Sequence, residues 1–512
     1  MIRPRSENKI IAFDDLERLI IEPGFCTLCG ACEAACPVHA IGVVDNKPNR
    51  LYDCSEYLDT CPICYNICPH TDALSYETLR FVAQAPFRRE SLGHYRDIAL
   101  AHAADPAIGD ISRGGGVVNS LLMFAIKEGF IDSAIFSETV AGPGIEVKPS
   151  ISFAPDDMLS AVDVKIVPSA VAKAFGRAIF EYGKSHIAFV GVPCHITALR
   201  KLEVWQHKLM DSLEVTVGLF CLWTFSLRRL LEHFSRKYDI DAREIRGVEL
   251  TMNNYILDTK GGFVRIPIPE VKSHIMNRCR TCMDFTSELA DLSVGGASPL
   301  KGWSTVIIRT GKGEELFERA VEKGVLVTKD VESEPEVVAH VMQLSTFKKE
   351  IALQEIKEME RRHEKIPPAS EVYKTPTTPL SRSLDEVKVG DVMTKEVVVL
   401  PPNLNVNAFF EEVAKHHHTG FPVMDSSNRV LGIVTLQDAF KVDKERREEV
   451  TVYEICTKEL ISVFVDESLR SAVEKMDEHD VGRLLVVDRN DEHLLLGILT
   501  RSDVVHALRK AT

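Results

Sequence analysis

CTLCGACEAACP, residues 26–37, places four cysteines at spacings of two, two and three residues and ends on Pro37. A second run follows, in which Cys54 precedes CPICYNICP at residues 61–69. Tight two-residue loops let successive thiolates converge on one iron–sulfur cubane, while backbone amides turn towards its sulfurs and tune its potential. Gly30 suits such a loop because glycine accepts backbone angles that other residues avoid. The two runs therefore predict iron–sulfur ligation.

The eight cysteines of these runs resemble those of bacterial-type ferredoxins, which hold two 4Fe–4S clusters. In that family the last cysteine of each run binds the other cluster. The resemblance implies one cluster on Cys26, Cys29, Cys32 and Cys68, and a second on Cys36, Cys54, Cys61 and Cys64. The sequence departs from the family between Cys54 and Cys61, where six residues replace the usual two. Zinc is the alternative, although zinc sites usually take two such pairs per ion.

The composition of the 512-residue chain bounds its class. At roughly 100–200 residues per domain, about three domains are expected. A net charge of −14 argues against nucleic acid as the main partner, because such binding neutralises phosphates with basic residues. No apolar stretch approaches the ~18 residues of a membrane span, and the first residues lack a secretory signal. We therefore expect a cytoplasmic protein with reduced thiols, no membrane span and no nucleic-acid partner.

Short apolar runs alternate with helical patterns in the middle of the chain. HIAFVGVP (186–193), LEVTVGLFCLW and GWSTVIIRT are typical of buried strands, and ITALRKLEVWQHKL and GEELFERAVEKG of helices. This alternation predicts an α/β domain. Upstream, Gly114, Gly115 and Gly116 precede an apolar helical pattern, where free backbone amides suit a cofactor pyrophosphate. An ordinary turn before a helix is the alternative. The chain has neither GxGxxG nor GxxxxGK[ST], so no Rossmann site or P-loop is indicated.

Several motifs of this region, in order, resemble the beta subunits of coenzyme F420 hydrogenases and dehydrogenases. They are SRGGGVVNSLL, VGVPCHITALRKL, GLFC, CRTCMDFTSELADLSVG and GWSTVIIRT. The resemblance covers about 270 residues. It implies a FAD-binding α/β domain that passes hydride between the deazaflavin coenzyme F420 and FAD, with the flavin held by Gly114, Gly115, Gly116, Asn119 and Pro193. It also implies a third 4Fe–4S cluster on Cys194, Cys221, Cys279 and Cys282. Alternatively, Cys194 and Cys221 are buried apolar thiols.

Two positions depart from this family and bear on the substrate. Many relatives have glutamine after the Pro-Cys pair, where this chain has His195. Many also have a Gly-Ser-Lys-Tyr run where this chain reads VDVKIVPS, which retains Lys165 but replaces the aromatic residue with Ile166. His195 and Lys165 are therefore the candidate catalytic residues near flavin or substrate. His195 either donates to the flavin or has no chemical role at its helix start.

The C-terminal part contains an internal repeat after a linker rich in Pro, Ser and Thr. FPVMDSSNRVLGIVTLQDAF recurs about 65 residues later as LLVVDRNDEHLLLGILTRSDVV. Each copy carries Gly-x-x-Thr-x-x-Asp, which gives Thr435 with Asp438 and Thr500 with Asp503. The repeats resemble a tandem CBS module, whose clefts bind adenine nucleotides with the aspartate on the ribose and the threonine near phosphate. Capping of the following helix, with an empty cleft, is the alternative.

The histidine run and Cys456 of this region are expected to have structural roles. The three histidines at 416–418 are expected to form a solvated helix end, because adjacent residues of a helix point in different directions. Cys456, the last of the thirteen cysteines, is expected to be a core thiol. The resemblance to CBS pairs, which often stack in twos, implies a homodimer.

Together these patterns predict a multidomain α/β and α+β protein. Its segments are a ferredoxin-like two-cluster domain (1–85), a FAD-binding domain of the F420 beta-subunit type (93–365), a linker (366–384) and CBS repeats (385–445 and 446–512). The predicted function is electron transfer between coenzyme F420 and a partner protein or ferredoxin, by way of FAD and three 4Fe–4S clusters, gated by adenine nucleotide. The alternatives are a ferredoxin-dependent reductase of another substrate and a non-catalytic electron-wiring subunit.

Overall fold

The computed structural model describes most of the chain, in segments. They are residues 13–44, 47–54, 61–75, 77–78, 91–111, 114–140, 146–160, 168–205, 207–251, 253–373, 387–416, 420–435, 438–439, 441–479, 481–500 and 503–504. Two compact units are present. The first comprises Met1–Tyr52 with Pro62–Lys374, and the second comprises Asp53–Cys61 with Thr375–Thr512. The N-terminal cysteine-rich region thus shares one unit with the α/β region.

An eight-stranded mixed sheet forms the centre of the first unit. Its strand order is β13-β3-β12-β11-β7-β6-β4-β5. The strands are β3 (Asp97–Ala103), β4 (Ser133–Val140), β5 (Glu146–Ser152), β6 (Ile187–Gly191), β7 (Leu213–Leu219), β11 (Leu292–Gly296), β12 (Ser304–Ile308) and β13 (Leu326–Lys329). Strands β4, β6, β7 and β11 run parallel. Every residue of β6 is buried, as expected for a parallel strand covered on both faces.

Helices cover both faces of this sheet. The helices of the first unit are α1 (Phe13–Leu16), α2 (Ala31–Ala34), α3 (Ile63–Asn66), α4 (Pro106–Ile111), α5 (Val117–Lys127), α6 (Val171–Phe180), α7 (Pro193–Val204), α8 (Leu227–Tyr238), α9 (Ile268–Val271), α10 (Gly311–Glu322) and α11 (Pro335–Arg361). Pro193 begins α7 at a position where the missing N–H has no partner to lose. The strands and helices expected in the middle of the chain are therefore confirmed as elements, with small shifts of their ends.

The N-terminal region packs directly on the α/β region. A hairpin of β1 (Ile41–Val44) and β2 (Lys47–Arg50) follows the first cysteine run. The apolar core that contains Cys29 and Ala31 also contains Val171 and Phe175 of α6. The amide of Ala172 donates to the carbonyl of Cys29 at 3.0 Å. The two regions therefore share one hydrophobic core rather than meeting at a polar boundary.

A small antiparallel sheet and the long helix α11 complete the first unit. The sheet has the order β10-β9-β8, with β8 (Ile245–Leu250), β9 (Asn254–Thr259) and β10 (Gly262–Pro267). Its core contains Phe225, Phe234 and Tyr255, and Val341 of α11 packs in the same cluster. No helix in the described segments is long and apolar enough to cross a membrane.

The second unit contains two similar α+β repeats. The first has α12 (Val389–Val392), α13 (Val406–His416), β14 (Gly420–Met424) and β15 (Val430–Thr435). The second has α14 (Val452–Ile455), β16 (Ser462–Phe464), α15 (Leu469–Glu478), β17 (Arg483–Asp488) and β18 (Asp491–Thr500). Cys456 is buried in the first core, so the prediction of a core thiol is confirmed. Helix α13 ends at His416, and the rest of the histidine run lies outside the described residues.

Candidate redox centre and nucleotide clefts

One edge of the large sheet carries several of the sequence-predicted site residues. Strands β6, β7 and β11 are parallel, so their carboxyl ends meet at the same edge. Cys194 lies in the first turn of α7, directly after β6, and Cys221 follows the end of β7 by two residues. Ligands of open α/β sheets bind at this edge. The topology therefore brings two distant cysteines together.

Cys194, Cys221, Cys279 and Cys282, hereafter the central cysteine set, line a single cavity. Cys279 begins a short 3₁₀ turn that extends to Thr281, and Cys282 follows it. Burial raises the pKa of the Cys221 thiol to about 12, and it also raises the pKa values of Cys194 and Cys279. Neighbouring cysteines add to the increase at each of these three thiols, and such mutual repulsion favours a bound cationic centre, which stabilises thiolates.

Cys26, Cys29, Cys32 and Cys68, hereafter the N-terminal cysteine set, are also neighbours. Burial raises the pKa of the Cys26 thiol to about 12, and repulsion by Cys68 adds to the increase. The pKa of Cys29 is raised by burial and then by Cys68, and that of Cys32 by burial, Cys29 and Cys26. Gly30 has a φ of 83°, which confirms the unusual loop conformation expected there.

A chain of hydrogen bonds connects the loops of the N-terminal region to the central cysteine set. Arg278 donates from Nε to Nδ1 of His70 at 3.1 Å, so His70 carries its proton on Nε2. That nitrogen lies 2.8 Å from the Thr27 hydroxyl, which in turn hydrogen-bonds the Cys194 thiol. Burial, followed by repulsion from Arg278 and Lys201, lowers the pKa of His70 well below its usual value. The imidazole is therefore a neutral bridge between the N-terminal loop and the central cysteine set.

A buried lysine accompanies each cysteine set. Lys201 is fully buried and donates to the carbonyls of Cys68 and Thr71 at 2.8 and 2.9 Å. Burial lowers the pKa of Lys201 to about 8. Lys348 is 2% exposed and donates to the carbonyls of Cys221 and Asp284. Burial opposes its charge, but Cys282, Cys221 and Asp284 outweigh that effect and raise the pKa of Lys348.

The surroundings of the cysteine sulfurs bear on the 4Fe–4S clusters that the sequence predicts. As they stand, no three or more His, Cys, Asp or Glu side chains among the described residues form a group able to hold a metal ion. Four cysteines in mutual proximity, with hydrogen-bond donors directed at their sulfurs, fit iron–sulfur chemistry. The amide of Leu28 donates to the sulfur of Cys26 at 3.4 Å, and Thr224 donates to the sulfur of Cys279. The central and N-terminal sets therefore fit a cluster each.

The predicted ligands of the second N-terminal cluster are only partly brought together. Cys36 and Cys64 are buried within the first unit, and Cys64 interacts electrostatically with Cys32. Cys54 and Cys61 are half-buried and belong to the other compact unit. The assignment of Cys36, Cys54, Cys61 and Cys64 to one cluster therefore stays a prediction.

The glycine turn before α5 is held by internal contacts. Gly115 and Gly116 have φ values of 73° and 72°. A Cβ atom on Gly115 would lie 2.6 Å from the carbonyl oxygen of Gly302, and one on Gly116 would lie 2.9 Å from Ile108. The carbonyl of Gly114 accepts a hydrogen bond from Ser304. Close packing thus accounts for the two glycines with a left-handed backbone, which agrees with an ordinary turn before a helix. Pyrophosphate binding stays a prediction.

Other predicted flavin residues lie in different surroundings. Asn119 donates from Nδ2 to the carbonyl of Met158 at 2.7 Å and so fixes the turn Pro155–Ser160. Pro193 lines the cavity of the central cysteine set. His195 is 4% exposed, and its Nδ1 has no hydrogen-bond partner within the described part of the chain. Burial lowers the pKa of His195 to about 4. Lys165 lies outside the described residues.

The orphaned Nδ1 of His195 fits a bound cofactor at the sheet edge. A buried polar atom without a partner is costly, and a ligand atom that completes the bond removes the cost. The free amides of the first turn of α5 would provide further donors, because the amide groups of a helix start have no intrahelical partner. These groups fit a flavin, although the glycine turn does not by itself require one.

The two CBS-like repeats contain matching Thr–Asp contacts. The hydroxyl of Thr435 donates to Asp438 at 2.6 Å, and its amide donates to the same oxygen at 3.0 Å. Thr500 makes the same pair of bonds to Asp503, at 2.7 and 2.8 Å. Arg483 of the second repeat is half-buried and interacts electrostatically with Asp438. The Thr–Asp contact is therefore formed in both repeats, and nucleotide binding stays a prediction.

The sequence did not reveal the buried bridge and its cations. His70, Arg278, Lys201 and Lys348 lie at or between the cysteine sets; only Lys201 falls within a motif recognised from the sequence, VGVPCHITALRKL, and no role was expected for it there. Buried lysines are rare, and the helix pattern of Lys201 and Lys348 gives no sign of burial. A weak signal existed only for Arg278 and His70, because each lies within two residues of a predicted cysteine ligand.

Three family models match separate segments of the chain. Residues 184–334 match the C terminus of the coenzyme F420 hydrogenase/dehydrogenase beta subunit. Residues 19–42 match a 4Fe–4S binding domain, and residues 389–445 and 452–510 match CBS domains. The segments contain the central cysteine set, the first cysteine run and both Thr–Asp pairs. The resemblances found in the sequence are thereby confirmed.

Individual proteins show the same relationship. The chain is 29% identical over 267 residues to the coenzyme F420 hydrogenase subunit beta of Methanothermobacter thermautotrophicus, which covers 51% of this chain and 94% of that protein. It is 28% identical over 349 residues to the coenzyme F420-dependent sulfite reductase of Methanocaldococcus jannaschii, which covers 65% and 51%. A chain of the F420-reducing [NiFe] hydrogenase complex from Methanosarcina barkeri has 26% identity and a TM-score of 0.51, covering 55% of this chain and 98% of that one.

These relatives are oxidoreductases by name, and the similar structure comes from a multisubunit complex. The mixed α/β architecture and the tandem repeats agree with the predicted fold class. The chain therefore combines a segment similar to the C terminus of the coenzyme F420 hydrogenase/dehydrogenase beta subunit with segments similar to a 4Fe–4S binding domain and to a pair of CBS domains.

Proposed function

We propose that the chain is an iron–sulfur flavoprotein that transfers electrons between coenzyme F420 and a partner protein or ferredoxin, by way of FAD and three 4Fe–4S clusters. One observation carries the proposal: the four central cysteines meet in a cavity whose wall includes Thr27 and His70 of the N-terminal region. The names of two relatives, the hydrogenase subunit beta and the sulfite reductase, both include coenzyme F420, and we take it as the substrate on that basis. We further propose that it acts in the cytoplasm.

The chain's own residues prepare the site for such transfer. A flavin, when bound, links the two-electron chemistry of a hydride donor to the one-electron chemistry of clusters. Thr27 donates to the Cys194 thiol, and a hydrogen bond to a ligating sulfur raises a cluster's potential. Arg278 fixes the tautomer of His70, which holds the Thr27 hydroxyl in place. Cys29 and Cys194 interact electrostatically, and this supports a path for electrons between the two sets.

The flavin would be held at the carboxyl edge of the large sheet. We assign the unpaired Nδ1 of His195 as a hydrogen-bond donor or acceptor to the flavin, and Pro193 as a neighbour that shapes its site. Gly114, Gly115, Gly116 and Asn119 would contribute through the start of α5. Lys165 remains a proposed catalytic residue on the basis of the family resemblance alone.

An anaerobic reduction experiment tests this function. The full chain is reconstituted with iron, sulfide and FAD, and reduced coenzyme F420 is added while flavin and cluster absorbance are followed. We expect rapid bleaching, with NADPH inert as the control donor. Absence of bleaching by reduced coenzyme F420, together with bleaching by reduced ferredoxin, would support a ferredoxin-dependent reductase of another substrate. A chain that binds no flavin would be an electron-wiring subunit.

We also propose that the CBS pair binds an adenine nucleotide and thereby gates electron transfer. Asp438 and Asp503 each present a carboxylate already oriented by a threonine, which suits two ribose hydroxyls. Arg483 makes the cleft of Asp438 the one better suited to phosphate, because a guanidinium binds phosphate in a bidentate manner. The bound nucleotide would favour one of two conformations of the chain. A homodimer through these repeats is part of the proposal.

Calorimetric titration with AMP, ADP and ATP tests nucleotide binding. We expect Asp438→Asn to weaken binding more than Asp503→Asn, because Arg483 interacts with Asp438 in the described part of the chain. Equal loss in both variants would contradict this asymmetry. The rate of reduction by reduced coenzyme F420, measured with and without nucleotide, tests the gating, and an unchanged rate would remove it from the proposal. Size-exclusion chromatography with light scattering tests the dimer.

A further inference from the structure

We infer that Lys348 is the counter-charge of the central cysteine set, and that its buried ammonium group raises the reduction potential of the cluster held there. This inference depends on the proposed function, because it requires a cluster on Cys194, Cys221, Cys279 and Cys282. Lys348 carries no role in the function described so far. It lies near the middle of α11, more than 60 residues after the last predicted ligand in sequence, and its side chain lines the cysteine cavity.

The contacts of Lys348 fix its ammonium group at the cavity. Its Nζ lies 2.5 Å from the carbonyl oxygen of Cys221 and 2.5 Å from that of Asp284. Both acceptors are backbone groups adjacent to predicted ligands, since Asp284 follows Cys282 by two residues. The side chain is 2% exposed, so water screens its charge weakly.

The sign of the effect follows from electrostatics. Reduction adds a negative charge to a cluster, and a nearby buried cation stabilises the reduced form more than the oxidised form. Arg278, Asp284 and Glu288 also line the cavity, so the absolute potential reflects several charges. Removal of one buried positive charge nevertheless lowers the potential whatever the other three contribute.

The test is an EPR-monitored redox titration of the reconstituted full chain and its variants. Lys348→Met removes the charge and the donor, whereas Lys348→Gln removes the charge and keeps an N–H donor. We expect both to weaken reduction of one cluster by at least tenfold, which is about 59 mV for a one-electron couple. Lys357→Met is the matched control, because this lysine lies on the same helix but is exposed. It should leave every midpoint potential unchanged.

The outcomes separate the inference from the function on which it rests. If iron analysis shows no central cluster in the unchanged protein, the proposed function fails first. If the cluster is present and both Lys348 variants retain its midpoint potential, the counter-charge role is wrong. Recovery of the original potential by Lys348→Gln would also overturn the inference, because it would assign the effect to hydrogen bonding. Should Lys348→Met fail to fold, Lys348→Gln alone still decides.

Discussion

The N-terminal cysteine set comes from two short cysteine loops, whereas the central cysteine set is gathered from three separate places in the α/β region. Cys26, Cys29 and Cys32 lie within seven residues of sequence, but Cys194 and Cys282 are separated by 88. Both sets nevertheless end in similar surroundings, with buried thiols and a buried lysine bonded to a cysteine carbonyl. The comparison shows that the same local chemistry arises from loop geometry in one case and from sheet topology in the other.

Loss of one ligand in each set gives the largest expected effect. Cys26→Ala and Cys279→Ala should each abolish one cluster and remove about one third of the iron bound by a chain with three 4Fe–4S clusters. Cys456→Ala is the control, since this thiol lies in a hydrophobic core and should retain all the iron. Iron and sulfide analysis of anaerobically purified protein measures the effect. Loss of two clusters from either single variant would show that the sets do not assemble independently.

The scaffold of the central set depends on a buried ion pair. Arg200 of α7, the helix that carries Cys194, lies 2.9 Å from Asp291, and both side chains are almost fully buried. Asp291→Asn should lower the free energy of unfolding by about 3 kcal/mol, the low end for a broken buried pair, because Arg200 loses its most buried carboxylate and keeps only Glu203. Anaerobic denaturant unfolding measures the change.

A surface ion pair gives the matched control for that prediction. Arg177 and Glu181 pair on the exposed side of α6, and Glu181→Gln should leave the unfolding midpoint unchanged. Iron should also be released to a chelator faster from the central set than from the N-terminal set in Asp291→Asn. Equal release from both sets would argue against a scaffold specific to the central one.

The bridge between the two sets should contribute less. His70→Leu removes the partner of the buried Arg278 side chain and of the Thr27 hydroxyl. We expect a loss of about 1–3 kcal/mol, the usual effect of leaving a buried donor without an acceptor. Thermal unfolding followed by circular dichroism measures it, with His479→Leu at an exposed position as the control. A loss no larger than in the control would show that the bridge does not tie the regions together.

The smallest effect is expected in the N-terminal loop. Gly30 has a φ of 83°, and a Cβ atom there would lie 3.0 Å from Lys173 of α6. Gly30→Ala should destabilise the fold by about 1–2 kcal/mol, the cost of a left-handed backbone with a side chain. Gly183→Ala provides a comparison, because Gly183 has a positive φ of 62° with open space around it. A similar loss of unfolding free energy in both variants would assign the effect to the backbone angle. A larger loss in Gly30→Ala would show that the contact with Lys173 also contributes.

Local patterns predicted more of this molecule than long-range ones. The spacing of the first cysteine run and the paired Thr–Asp motifs act over a few residues, so sequence alone indicated them. The convergence of Cys194 with Cys279 depends on parallel strands, and it was anticipated only through family resemblance. The burial of Lys201 and Lys348 was not predicted, because a lysine in an amphipathic helix usually reaches solvent. The glycine turn shows the reverse case, in which an apparent binding motif has internal packing as a sufficient cause.

In sequence the ferredoxin-like region resembles an independent domain. In the structure it shares buried polar contacts with the α/β region and cannot be removed without loss of those contacts. Lys201 is fully buried only because Cys68 and Thr71 supply its acceptors, and Arg278 likewise depends on His70. A chain without the N-terminal cysteine runs would expose an apolar face, and it would leave the buried side chains of Lys201 and Arg278 without these acceptors. Replacement of the N-terminal region by a different module would therefore require changes at Lys201 and Arg278 as well. The same two changes would be needed if such a replacement occurred in evolution.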